Sequence, residues 1–288
     1  MVVRAGDAAG RPEARKVFVP DAAASVVMHV LQGAPNPYRW CRPAVEAALA
    51  RRRVLAPLVR HWFGDALRLP RVNGAAWNAE HRAFELRLEL VGGAHVPLRR
   101  AHGDGSDDLL RDLRLRVLGP LRGHLRDAGF DGLVWQAGLG NPVALGNFML
   151  ERCAGGDAAA HRWVWIDLES GVPALFPLDP RALFTFYLPR SVRHRRALFD
   201  DVDVPRLRRH VLEHADALER SLGAAAVDEL HEEIGRLESA QAEWRALSRT
   251  DRGIAAAHAC GHLSAERAAA LRGRAVAWSL VQTGLLAR

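Results

Sequence analysis

The apolar residues of this chain keep two different periods in two different stretches, and that division limits the folds open to it. Between Ala83 and Leu90 they alternate as Phe84, Leu86, Leu88 and Leu90, which a half-buried strand requires. Beyond residue 200 they recur every three or four positions, first as Leu207, Val211, His214, Leu218 and Leu222. The second set is Val227, Leu230, Ile234, Leu237 and Trp244, with Gly223 between the sets and Gln241 at the one skipped step. That spacing predicts an antiparallel helical hairpin. A chain with strands early and helices late is expected to be α+β rather than a repeating βαβ wind.

The stretches between fill in the expectation. Residues 1–15 are polar and expected to fray, and Lys16-Val-Phe-Val-Pro20 reads as a short strand. Pro43 can open a helix through Val45, Ala48 and Leu49, which Pro57 should break or restart before Leu58, Val59, Trp62 and Phe63. A strand at 68–72 should pair with 83–90 through a turn at Asn73-Gly74 or at Trp77–Glu80. A helix begun by Asp107 or Asp108 carries Leu110, Leu113, Val117, Leu121 and Leu125; Pro120 should kink it and Gly129 close it. Strands are expected at 132–136, 147–150 and 163–168. The organisation expected is a mixed region over 1–100, a second region over 101–200 and a helical hairpin over 201–288.

Charge says less than its size suggests. The formal net charge is +7, but of 40 basic residues Lys16 is the single lysine and the rest are arginine. A coding bias explains such a split; selection for nucleic-acid binding gives no reason to discard lysine. The eight tryptophans are not interleaved with arginines as a base-stacking groove would need, so no nucleic-acid partner is expected. Cys41, Cys153 and Cys260 are scattered and form no CxxC pair, which fits a reducing, cytoplasmic setting. The apolar run from Arg274 to Leu286 is too short to span a bilayer, and contact of the protein with a membrane surface stays open.

The most informative segment is GLVWQAGLGNPVALGNFMLERCAGGDAAAHRWVWIDLESG, residues 132–171. Asn147 opens one short strand, and the apolar run Trp163-Val-Trp-Ile delivers Asp167, with Glu169 two residues on, to the end of the next. This order resembles the C-lobe of the protein-kinase-like superfamily, including lipopolysaccharide-core sugar kinases, UbiB-type atypical kinases and aminoglycoside phosphotransferases. The resemblance implies a bilobal protein-kinase-like fold with a small mixed N-lobe and an α-rich C-lobe carrying the hairpin as an extension. It implies ATP and Mg²⁺ as cofactors, with Asn147, Asp167 and Glu169 as metal ligands. By the same resemblance Lys16 would hold nucleotide phosphates and pair with Glu46 on the following helix. A lone lysine kept in an arginine-rich chain suits that role, and chance survival of one surface lysine would look the same.

The sequence departs from the family at two places. Pro142 stands five residues before Asn147, where those kinases carry the catalytic-loop aspartate, and no Gly-rich phosphate loop precedes Lys16. No catalytic residue is therefore assigned. Two readings stay open: a phosphotransferase acting on a small-molecule, sugar or lipid-linked acceptor, and a catalytically inactive pseudokinase that serves as a scaffold through its hairpin. His210-Val-Leu-Glu213-His214 matches the H-x-x-E-H zinc string, but no third ligand accompanies it, and His214 is expected in the hairpin seam. His258, Cys260 and His262 are expected to be an incidental helix end. The basic run Arg190–Arg196 is where substrate charge recognition would be sought.

Overall fold

The computed structural model describes residues 2–6, 10, 12–19, 28–29, 32–95, 106–137, 145–152, 161–169 and 201–286. Expectations placed on Pro142, Cys153 and Arg190–Arg196 lie outside these residues. The architecture is α+β, two small four-stranded sheets set among helices.

The first sheet takes β1 (Val2–Gly6), β2 (Pro12–Val17), β4 (Val72–Asn78) and β5 (Ala83–Glu89), in the order β1-β2-β5-β4 and antiparallel throughout. The segment expected to fray is instead a hairpin, with Val2 opposite Lys16. Strand pairing can hold polar sequence that carries little burial signal of its own. The second sheet is β3-β8-β7-β6, from β3 (Leu67–Arg68), β6 (Gly93–His95), β7 (Phe148–Arg152) and β8 (His161–Trp165). The turn before β5 falls after Asn78, whose side chain accepts from His81 N at 3.1 Å, while the irregularity near Gly74 is a bulge.

Between the sheets runs α2 (Arg42–Phe63), preceded by the single turn α1 (Pro37–Trp40). Pro57 does not break α2. It leaves one carbonyl without its helical donor, and burial of Val54, Leu55, Leu58 and Val59 offsets that cost. The two halves of α2 serve different cores. Ala44, Val45 and Ala48 pack with Phe84, Leu86 and Leu88 of the first sheet. Val54 to Val59 pack with Leu113, Leu121, Phe148, Trp165 and the late helices.

Helices α3 (Ser106–Asp112) and α4 (Gly119–Asp127) are joined by a π-helical segment, Leu113–Leu118. The expected kink at Pro120 is thus a wide turn placed before it: Gly119 N reaches back to Arg114 O, which accommodates the proline ring. Gly129, at φ +84, ends the helix, and a Cβ there would meet Asp203 O at 2.7 Å. Residues 132–136 are not a strand but part of a 3-10 turn, Asp131–Ala137. A short apolar run has no period to tell the two apart.

The late helices are α5 (Val204–Glu213), α6 (Ala215–Leu222), α7 (Ala224–Ala246), α8 (Arg249–Ala259), α9 (Ala265–Leu271) and α10 (Ala275–Leu286). The expected first arm of the hairpin is two helices broken at His214, which is exposed rather than in a seam. Val227, Leu230, Ile234 and Leu237 of α7 enter the same core as the second half of α2, and Trp244 enters the first sheet's core. Residues 201–246 are therefore an integral wall of the body.

Candidate functional site

Lys16 and two carboxylates meet at the waist of the molecule, where α2 passes from one core to the other. Lys16 is supplied by β2, and Asp167 and Glu169 follow the end of β8. Lys16 Nζ lies 2.5 Å from Asp167 Oδ1 and 3.2 Å from Glu169 Oε2, and donates to Glu169 O at 3.3 Å. The ammonium also stands 5.4 Å from the centre of the Phe18 ring.

The surroundings separate the two acids. Glu169 is fully buried, and Arg52 clamps it from α2: Nε donates to Oε1 at 2.5 Å and Nη2 to Oε2 at 2.9 Å. The same guanidinium donates to Ile166 O at 2.8 Å. Burial by itself would raise the Glu169 carboxyl, but Arg52 and Lys16 outweigh it and hold the group at about 2. Burial would likewise lower Lys16, and the Asp167 and Glu169 charges reverse the direction, so the ammonium stays protonated. Asp167 is different, with its side chain 46% exposed. Lys16 and the Glu169 N–H both reach its Oδ1, so among the described hydrogen bonds Oδ2 takes none.

Other groups fix the loop from behind. Arg51, also fully buried, donates to Tyr38 Oη at 3.0 Å and to Leu168 O at 3.5 Å. Gln136 donates to Leu168 O at 3.3 Å and accepts from Trp165 Nε1 at 3.2 Å. Asn147 is buried, and its carbonyl accepts from Ile166 N at 2.9 Å, which sets it beside the residue preceding Asp167.

Of the residues expected from the sequence, Lys16, Asp167 and Glu169 come together and Asn147 immediately precedes the adjoining strand β7. Glu46 does not join them. It is exposed and lines a cleft against Ser239 and Glu243 of α7. Six residues along a helix turn the side chain by about 120° from that of Arg52, so one helix cannot present both to the same place. Lys16 pairs with the two acids of residues 167–169 in place of Glu46. Arg51 and Arg52 were missed by sequence reasoning. Their signal is an arginine run inside a helix that is apolar on both sides of it, AALARRRVLAPLV.

The donor set bears on a metal. Both Glu169 oxygens accept from Arg52 and Oε2 also faces Lys16, so the expected ligand Glu169 stands here as a buried counter-charge. Among the described residues no group of three or more His, Cys, Asp or Glu could hold a metal ion. Asp167 Oδ2 is what remains, with Asn147 brought near it by the backbone bond to Ile166, and so few protein donors fit only an ion carrying most of its ligands as water or phosphate oxygens. The H-x-x-E-H string is not such a site: His214 caps α5 with Nδ1 2.8 Å from His210 O, and Glu213 is exposed. His258 Nδ1 is likewise spent on Leu263 O at 3.0 Å.

Two further ion clusters are structural. Arg68 forks onto Glu89 and Glu151, at 2.8–2.9 Å, and ties the end of β5 to β7. Arg206 holds Asp131 and Asp203 together beneath Gly129. Comparison with protein families, with curated proteins and with solved structures finds no match for this chain.

Proposed function

We propose that the protein binds a Mg²⁺-nucleotide in a kinase-like site, with Lys16 facing the phosphates and Asp167, beside Asn147, holding the metal. The observation that carries this reading is the 2.5 Å contact between Lys16 Nζ and Asp167 Oδ1, which joins two sheets across 151 residues of sequence. A charged lysine beside a half-exposed aspartate with an uncommitted oxygen can neutralise phosphate and hold a hard cation together. Arg52 and Glu169 set the position of both without touching the ligand. Transfer of the phosphoryl group to a small-molecule, sugar or lipid-linked acceptor is the activity such a site would support.

A second reading, a nucleotide-binding scaffold without turnover, is favoured by one observation. Glu169 is engaged by Arg52 through both oxygens, and with Pro142 at the loop position and Asp167 given to the metal, the described residues of this site offer no further carboxylate as base.

The test is a thermal melt with ATP and Mg²⁺. Ligand at a hundredfold its dissociation constant adds about 2.7 kcal/mol, which for a chain of this size raises Tm by about 5 °C. The shift should vanish in Lys16→Met and Asp167→Asn and persist in Glu46→Gln. No shift in the wild type, or an equal shift in Asp167→Asn, overturns the site. Phosphate release across an acceptor panel then separates the two readings: turnover supports the enzyme, and binding without turnover supports the scaffold.

A further inference from the structure

Helix α10 is apolar nearly all round rather than amphipathic, with apolar residues on the face it buries and on the face it leaves open. Trp278 is buried against Ile254 and Leu271, and Ala277 and Val281 pack beside it. This anchors one side of the helix. On the other side Val276 and Leu280 are 79% and 74% exposed. They are four residues apart, so they project from the same face one turn from each other. Ser279 lies between them, and its hydroxyl donates to Ala275 O at 3.0 Å, so the polar group of this stretch is satisfied inside the helix. Single exposed aliphatics are ordinary on protein surfaces, but an adjacent pair beside a self-satisfied serine is a small apolar platform.

The chain from Arg267 onward carries charge of one sign. Residues 267–288 contain four arginines and no Asp or Glu. Arg267 on α9, and Arg272 and Arg274 in the turn before α10, are all exposed, and Glu266 is the nearest preceding acid. No helix of the described residues is long and apolar enough to cross a membrane. An exposed aliphatic pair with arginines before it in the chain suits contact with an anionic lipid interface instead, the arginines supplying the charge attraction. A second copy of the chain fits less well, because pairing α10 with itself brings like charges together.

We propose that the α10 face carrying Val276 and Leu280, flanked by Arg267, Arg272 and Arg274, docks on an anionic lipid bilayer. The aliphatic pair enters the headgroup boundary and the arginines meet lipid phosphates. The surface is separate from Lys16 and Asp167 and does not depend on nucleotide binding.

The experiment is vesicle co-sedimentation of the full chain. Vesicles of phosphatidylcholine with phosphatidylglycerol should capture the protein, vesicles of phosphatidylcholine alone should capture at least tenfold less, and 0.5 M NaCl should release it. Val276→Ser with Leu280→Ser should weaken capture about tenfold or more, and Arg272→Gln with Arg274→Gln by a similar factor. All four positions are exposed, so circular dichroism and Tm should match the wild type. Equal capture by neutral vesicles, or capture unchanged in both double variants, overturns the proposal. Concentration-dependent dimers in light scattering, lost in Val276→Ser/Leu280→Ser, would assign the face to self-association and overturn it equally.

Discussion

Replacing Arg52 by Met tests whether the waist is held by a buried charge pair. The substitution keeps the aliphatic length and removes the guanidinium, leaving Glu169 buried with Lys16 at 3.2 Å as its remaining cation. Breaking one side of a buried pair costs about 3–5 kcal/mol, because the orphaned carboxylate has lost its water and its partner. The Glu169 carboxyl agrees in direction: burial alone would raise it, and Arg52 first, then Lys16, hold it down at about 2. Urea denaturation at pH 7 should show this loss as a lower midpoint with unchanged slope. Arg208→Met is the control. Its partner Glu238 lies at 2.7 Å, but both side chains are about half exposed, so about 0–1 kcal/mol is expected. Arg52→Met with Glu169→Gln should lose less than the sum of the single variants, since the uncompensated charge is gone. If Arg52→Met costs no more than Arg208→Met, or the double variant is worse than additive, burial is not what gives this pair its strength.

Two other predictions follow from packing. His61 on α2, His124 on α4, and His210 and His214 around the end of α5 face one another beside Trp62, with Asp127 and Glu213 as the nearby acids and Ser221 bonded to His61. Burial first, then the neighbouring imidazoles, holds His61 and His210 below the usual value; for His124, burial outweighs the pull of Asp127. The unfolded chain then binds more protons, so stability is complete above pH 6.5 and falls as pH drops below it. Glu169 adds a separate loss between 4.5 and about 2. Urea midpoints from pH 8 to 4 should resolve the first slope, and His210→Gln should flatten it; an unchanged slope would refute the histidine account. Gly253→Ala places a Cβ 2.7 Å from the Trp278 ring and 2.9 Å from Gly33 O in the α8 packing. About 1–3 kcal/mol should be lost by overpacking, read as a fall in Tm, and a neutral result would mean α10 shifts freely.

Much of the element inventory was legible because it rests on local chemistry. The alternation at 83–90 is a strand, Gly129 and Gly223 end or begin helices at positive φ, and the three-four spacing at 227–237 is a buried face. What failed locally failed for lack of a period or of a partner. The run at 132–136 is too short to declare itself, and the N-terminal hairpin is held by pairing with β5, 68 to 76 residues away.

The candidate site divides along the same line. That Lys16 sits on a strand and that Asp167 and Glu169 follow an apolar one could be read locally, because those are statements about neighbours in the chain. The sequence could not determine which face of α2 turns toward them, because helix phase is set by what the helix packs on. The two sheets hold opposite halves of α2, and that brings Arg51 and Arg52 to the waist and leaves Glu46 in solvent. Burial then does the rest: Glu169 becomes a fixed counter-charge and Asp167, two residues away, keeps an oxygen open to a ligand.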